Sequence, residues 1–178
     1  ELFQTGTYNS KRNFHKTYSP SMDILVSSNV ERYIFDLLNK DSLKVKSVME
    51  ELENSGKVFI PEILTQKDFV ADFTTETETL AEIKRVLDEK QLLIDPHTAV
   101  ASVVASKYAK KDSTYTVVVS TASPYKFTDA ICEAIGNDSK ETLEETFKEI
   151  KDKTNTECNS RMNDILELHN RKIELDKD

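Results

Sequence analysis

Few residues in this chain have both the type and the spacing to do chemistry. The three histidines, His15, His97 and His169, stand far apart. None has a second histidine or a cysteine at the spacing a metal site requires, so the sequence points to no metal centre. Cys132 and Cys158 are the only cysteines, too few for a disulfide framework or a thiolate zinc cage. Each falls in a helical pattern without a neighbouring base, which makes an inert thiol the better reading than a nucleophile. Asp95 and His97, two residues apart, could form an acid–base pair, but Asp95-Pro96 is also a helix start, with Asp as the cap. Ser120-Thr121-Ala122-Ser123-Pro124 is different. It follows a predicted strand, and ligands in α/β proteins bind beyond the C-terminal ends of strands. Glycine-rich phosphate loops are excluded, because Gly6, Gly56 and Gly136 are isolated from one another.

Composition narrows the classes further. The 178 residues carry 24 Lys and Arg against 32 Asp and Glu, a formal charge of −8. Nucleic-acid backbones are contacted chiefly by Lys and Arg, so that balance argues against nonspecific nucleic-acid binding. No apolar run approaches the length of a membrane span, and the first residues lack a basic-then-apolar leader. A reduced, cytoplasmic setting is the expectation. The chain begins with Glu rather than Met, which reads as a processed chain, a trimmed one or a fragment.

The positioning elements follow from periodicity. Val30, Tyr33, Ile34, Leu37 and Leu38 recur at helical spacing over residues 28–39, with Ser28 and Glu31 spaced as a capping box. Val45, Val48, Met49 and Leu52 repeat the pattern over 43–54, and Gly56 occupies the C-terminal glycine position. Lys57-Val58-Phe59-Ile60 reads as a short strand halted by Pro61. Thr75 and Glu78 form a second capping box ahead of Leu80, Ile83 and Leu87. Gln91–Ile94 reads as a strand, and Asp95-Pro96 opens a helix to about Lys110 whose alanines allow close packing. Thr114–Val119 is the clearest strand, and its valine run implies burial on both faces. This alternation predicts an α/β architecture with parallel strands.

Beyond Gly136 the composition changes. Residues 137–178 hold 12 acidic and 8 basic residues around a thin stripe of Leu143, Phe147 and Ile150, then Met162, Ile165, Leu166 and Ile173. Two domains are expected, 1–136 and a charged helical extension over 137–178, which packs on the domain or docks on a partner chain.

Four blocks carry a family resemblance. Ser19–Arg32 (SPSMDILVSSNVER), Phe69–Phe73 followed by Glu76–Leu80, Leu93–Ala101 (LIDPHTAVA) and Val119–Phe127 (VSTASPYKF) resemble, in order and separation, the C-terminal third of threonine synthase. The resemblance implies part of the large domain of a two-domain pyridoxal-phosphate enzyme, three-layered with parallel strands, sharing the fold of tryptophan synthase β chains. It implies a carbon–oxygen lyase acting on a phosphate ester, converting O-phosphohomoserine and water to threonine and phosphate. The family's Schiff-base lysine and cofactor-phosphate loop precede the Ser-Pro-Ser-Met-Asp block, and residues 1–18 hold no counterpart. The segment alone is therefore expected to be inactive and to need the N-terminal part of the same enzyme as its partner, with no nucleic acid or membrane involved. Thr121 is the counterpart of the family's hydroxyl residue facing the cofactor's pyridine nitrogen. Lys126 receives no role, and Asp23, Asn29 and Arg32 stand in a matching block without assigned contacts. Two other readings stay open: a standalone α/β binding domain without the catalytic lysine, and a proteolytic packing unit.

Overall fold

In a computed structural model, residues 1–109, 115–138 and 140–167 are described. They form two compact units, Glu1–Phe73 and Thr74–Asp178.

The first unit begins with α1 (Leu2–Thr5) and the strand β1 (Thr7–Asn9), followed by α2 (Pro20–Asp23), α3 (Ser28–Leu37) and α4 (Ser42–Ser55). The strand β2 (Lys57–Phe59) and α5 (Glu62–Thr65) complete it. β1 and β2 pair antiparallel, with Tyr8 opposite Val58, and their buried side chains meet Ile34, Leu38, Val45, Leu52, Ile60 and Ile63 in one core. Gly56 closes α4 as expected: its φ of 79° is left-handed, and its N–H donates to Leu52 O at 2.8 Å. The capping box expected at Ser28 is not formed. Ser28 is already helical, and Ser27 takes the cap position because its N–H is fixed by the Tyr8 hydroxyl at 2.9 Å.

The second unit is built from α6 (Glu76–Lys90), α7 (Pro96–Ala109), α8 (Thr128–Ala134), α9 (Leu143–Thr154) and α10 (Ser160–Glu167). The Thr75–Glu78 capping box is present in both directions, at 3.2 Å and 2.7 Å. Ile83, Val86 and Leu87 of α6 meet Ala99 of α7, Ile131 and Cys132 of α8, and Phe147 and Ile150 of α9 in a second core. The apolar stripe read in the charged C-terminal stretch is thus what seats α9. Phe147 and Ile150 are buried, whereas Leu143 is exposed.

Two predicted strands are corrected. Gln91–Ile94 is a connection, because Gln91 turns left-handed (φ 55°) to cap α6, and buried Leu93 and Ile94 then drop into the core before Asp95. The Thr114–Val119 strand begins outside the described residues, at Thr114. Its described part, 115–119, is in no sheet and is exposed rather than covered on both faces. A strand exists only where a neighbour takes up its N–H and C=O groups, and among the described residues none stands beside it. Parallel pairing is likewise not seen there: the sheet is two-stranded and antiparallel.

Candidate functional site

The chemistry-bearing residues of the second unit gather where α7 begins. Proline at the first helical position has no N–H to satisfy, and the preceding aspartate has two free N–H groups within reach. Asp95, fully buried, accepts from the N–H groups of His97 at 3.0 Å and Thr98 at 3.3 Å through Oδ1. Its Oδ2 accepts the Thr98 hydroxyl proton. The carboxylate is therefore occupied by the helix start, as the sequence suggested. The His97 ring meets Phe127 edge to face, 4.8 Å between centroids.

Thr98 also faces the turn. Its Oγ1 lies 3.3 Å from Ser120 Oγ, 22 positions away in sequence. This contact ties the start of α7 to the Ser120-Thr121 turn. On the far side of the turn, Ser123 precedes a single 3-10 turn, Pro124–Lys126. Its Tyr125 is buried, edge to face with Phe147 at 5.0 Å, and donates its hydroxyl proton to Thr156 O at 2.5 Å. Burial, with Cys158 and Glu157 nearby, pushes the Tyr125 phenol up to about 12, so the ring stays neutral and hydrogen-bonded. Between these two anchors Thr121 is exposed. The arrangement presents a hydroxyl, able to donate or accept, on a turn whose ends are fixed.

α7 is itself braced. Glu82, nearly buried on α6, accepts Arg85 Nε at 2.8 Å and Nη2 at 2.7 Å, and the Ser102 hydroxyl of α7 at 2.6 Å. The Arg85 hydrogen bonds hold the Glu82 carboxyl below the usual range, against burial, with Ser102 assisting.

Cys132 is buried in the core, and Cys158 is half-buried with its thiol pushed up by that burial, so neither has the character of a nucleophile. Lys126 is exposed, and His169 lies outside the described residues. His15 is exposed in the first unit. There Asp23 closes its own loop, accepting from Thr17 N–H at 2.8 Å and Thr17 Oγ1 at 2.7 Å, while Arg32 donates to Asn29. No group of three His, Cys, Asp or Glu suited to a metal ion occurs among the described residues. Sequence reasoning missed Thr98 and Tyr125. Thr98 was within reach, being the third residue after a predicted Asp cap; Tyr125 carried no local signal, because its partners come from α9 and the segment after it.

Residues 98–178, which include Thr98, Ser120, Thr121 and Tyr125, match the family described as "Threonine synthase, C-terminal". "Threonine synthase-like 1" of Macaca fascicularis is 39% identical over 140 residues, covering 76% of this chain and 19% of that protein. Threonine synthase of Corynebacterium glutamicum is 37% identical over 144 residues, covering 76% of this chain and 30% of that one. The chain thus spans about a fifth to a third of the length of these relatives. The crystal structure of pyridoxal-phosphate-bound threonine synthase from Brucella melitensis superposes with a TM-score of 0.64 at 28% identity, over 87% of this chain and 38% of that chain. The fold class expected from the sequence, a piece of a two-domain α/β pyridoxal-phosphate enzyme, agrees with that neighbour. In sequence and in fold alike, the chain is similar to the C-terminal region of threonine synthases.

Proposed function

We propose that this chain is the C-terminal part of a pyridoxal-phosphate-dependent threonine synthase, a lyase converting O-phosphohomoserine and water to threonine and phosphate. Thr121 is its cofactor contact. The observation that carries the reading is the exposed Thr121 hydroxyl on a turn pinned by Thr98 at one end and Tyr125 at the other, within the matched region. A hydroxyl suits a neutral ring nitrogen, to which it donates, whereas a carboxylate would hold that nitrogen protonated. Bound pyridoxal phosphate supplies an electron sink to the reacting amino acid. This chain's own residues orient it: Asp95 fixes Thr98, Thr98 fixes Ser120, and Thr121 follows.

The reading makes the N-terminal part of the same enzyme the partner of this segment, with the Schiff-base lysine there. The segment alone is inactive in this reading, and 137–178 is an extension anchored by Phe147 and Ile150. Two cysteines outside any disulfide suit a reduced, cytoplasmic compartment. No helix among the described residues is long and apolar enough to cross a membrane.

In the full-length enzyme, Thr121→Val keeps the shape and deletes the hydrogen bond. We expect a loss of roughly 1–3 kcal/mol in cofactor binding or turnover with O-phosphohomoserine. Thr121→Asp should shift the visible absorbance of the bound cofactor. Unchanged cofactor affinity, spectrum and rate in both variants would make Thr121 a turn residue only.

A further inference from the structure

We infer that a cavity in the first unit, walled by Leu2, Leu25, Val30 and Phe73 and carrying the charges of Arg12 and Asp72, binds a small apolar α-amino acid as its zwitterion. The cavity holds about 330 Å³ and is formed entirely within Glu1–Phe73. Ligand pockets span roughly 300–1,000 Å³, so this one suits a small metabolite. Two of its apolar side chains lie open to water, Phe73 at 74% and Ile24 at 51% exposed. Apolar surface of that kind gains by burial under a ligand.

The charges set the ligand class. Arg12 donates one hydrogen bond, from Nη2 to Ile24 O at 3.1 Å. Asp72 accepts the Phe73 N–H at 2.9 Å through Oδ1, which leaves Oδ2 open. Neither of them, nor Glu1 in the same wall, belongs to any ion pair among the described residues. Opposite charges that share one cavity without pairing leave room for a molecule that carries both. A guanidinium matches a carboxylate through parallel N–H···O bonds, and a carboxylate oxygen matches an ammonium. An α-amino acid presents both groups on one carbon, and an apolar side chain meets the remaining wall. A simple anion would leave its ammonium partners, Asp72 and Glu1, unmatched, and a simple amine would leave Arg12 unmatched. The site therefore discriminates against both.

A buried hydroxyl gives a second, independent signal. Tyr8 is 4% exposed, and its hydroxyl oxygen accepts the Ser27 N–H at 2.9 Å. Its own proton has no acceptor among the described residues, and both Tyr8 and Ser27 line the cavity. A buried donor left unmatched is costly, and a ligand carboxylate supplies what is missing. Tyr8 and Arg12 hold the carboxylate, then, and Asp72 and Glu1 the ammonium. The inference does not depend on Thr121 or on any cofactor.

Isothermal titration calorimetry of L-leucine into the full-length protein carrying this segment tests it. The titration is run with and without pyridoxal phosphate, and the cofactor absorbance is followed in parallel. The expected result is one leucine bound per chain in both conditions, with the absorbance unchanged. Isocaproate and isoamylamine, which keep the side chain and one charge each, should bind at least about tenfold more weakly. Arg12→Met and Asp72→Asn, both at exposed side chains, should each weaken leucine roughly ten- to a hundredfold without altering thermal unfolding. Tyr8→Phe should weaken it about two- to tenfold. No leucine binding up to about 10 mM in wild type would overturn the proposal. So would leucine binding that the Arg12 and Asp72 variants leave intact, or isocaproate binding as tightly as leucine. Leucine that alters the cofactor absorbance in wild type and both variants alike, and binds only with cofactor present, would place the amino acid on the cofactor and overturn it too.

Discussion

β2 and residues 115–119 share a composition and have opposite fates. Both are short and rich in valine or aromatic residues, and both read as strands. Lys57–Phe59 finds Thr7–Asn9 about 50 positions upstream, and Ile60 extends the ladder by donating to Gly6 O at 2.8 Å. Tyr115–Val119 finds nothing among the described residues, although its β propensity is the stronger of the two. Strand propensity measures fitness for a pleated, half-buried surface. Whether that surface exists is decided elsewhere in the chain or outside it. What the second unit does hold is the end of the segment, through Thr98 and Ser120.

Matched truncations sharpen the contrast most. Ile60→Ala, at a position 1% exposed, should destabilise the first unit by about 3 kcal/mol through lost burial and the cavity left behind. Val119→Ala, at a position 68% exposed, should move the stability of the 178-residue chain by less than about 0.5 kcal/mol. Urea denaturation of both variants measures this. A comparable loss at Val119 would mean that the segment is already packed within this chain, and the contrast would collapse.

The anchor of the second region comes next. Asp95→Ala removes the acceptor of two N–H groups and of the Thr98 hydroxyl in a fully buried site. We expect a cost of about 2 kcal/mol. Ser28→Ala, at the cap position the sequence suggested and the fold declined, should cost under about 0.5 kcal/mol, since Ser28 makes no cap bond. Thermal unfolding of the two variants separates a cap that holds a helix from a residue that only resembles one.

The smallest effect concerns the brace between α6 and α7. Glu82 is held below the ordinary carboxylate range by Arg85 and then by Ser102. Its folded value is thus lower than its unfolded one. The stability it contributes is present above the unfolded value, about pH 4.3, and is lost as pH falls through the folded value. Glu82→Gln should flatten that acid loss, at a cost of about 1 kcal/mol at neutral pH. Stability against pH for wild type and variant checks the slope. An unchanged acid limb would show that α7 is positioned by packing alone.

Much of the fold was legible locally. The Thr75–Glu78 box, Gly56 at the end of α4 and Asp95 ahead of Pro96 each depend on residues within four positions of one another, so their geometry is written in the sequence. The helix stripes were legible for the same reason, because a period of 3.6 needs no knowledge of the partner. The site was legible only in part. Thr121 was singled out from its turn and its family block, but the contacts that fix that turn, Thr98 to Ser120 and Tyr125 to Thr156, join residues 22 and 31 positions apart. The missing capping box at Ser28 has the same origin, since the Tyr8 hydroxyl reaches Ser27 from 19 positions away.

By itself, then, the sequence determined the longer helices, the caps at Thr75, Gly56 and Asp95, the apolar faces and the family likeness, because each rests on short-range spacing or on the order of residues. The tertiary structure decided which predicted strands pair, which serine stands at the cap of α3, and that Thr98, held by Asp95, reaches Ser120. Those outcomes depend on groups brought together across the chain, where a hydrogen bond forms only if geometry delivers its partner within about 3 Å.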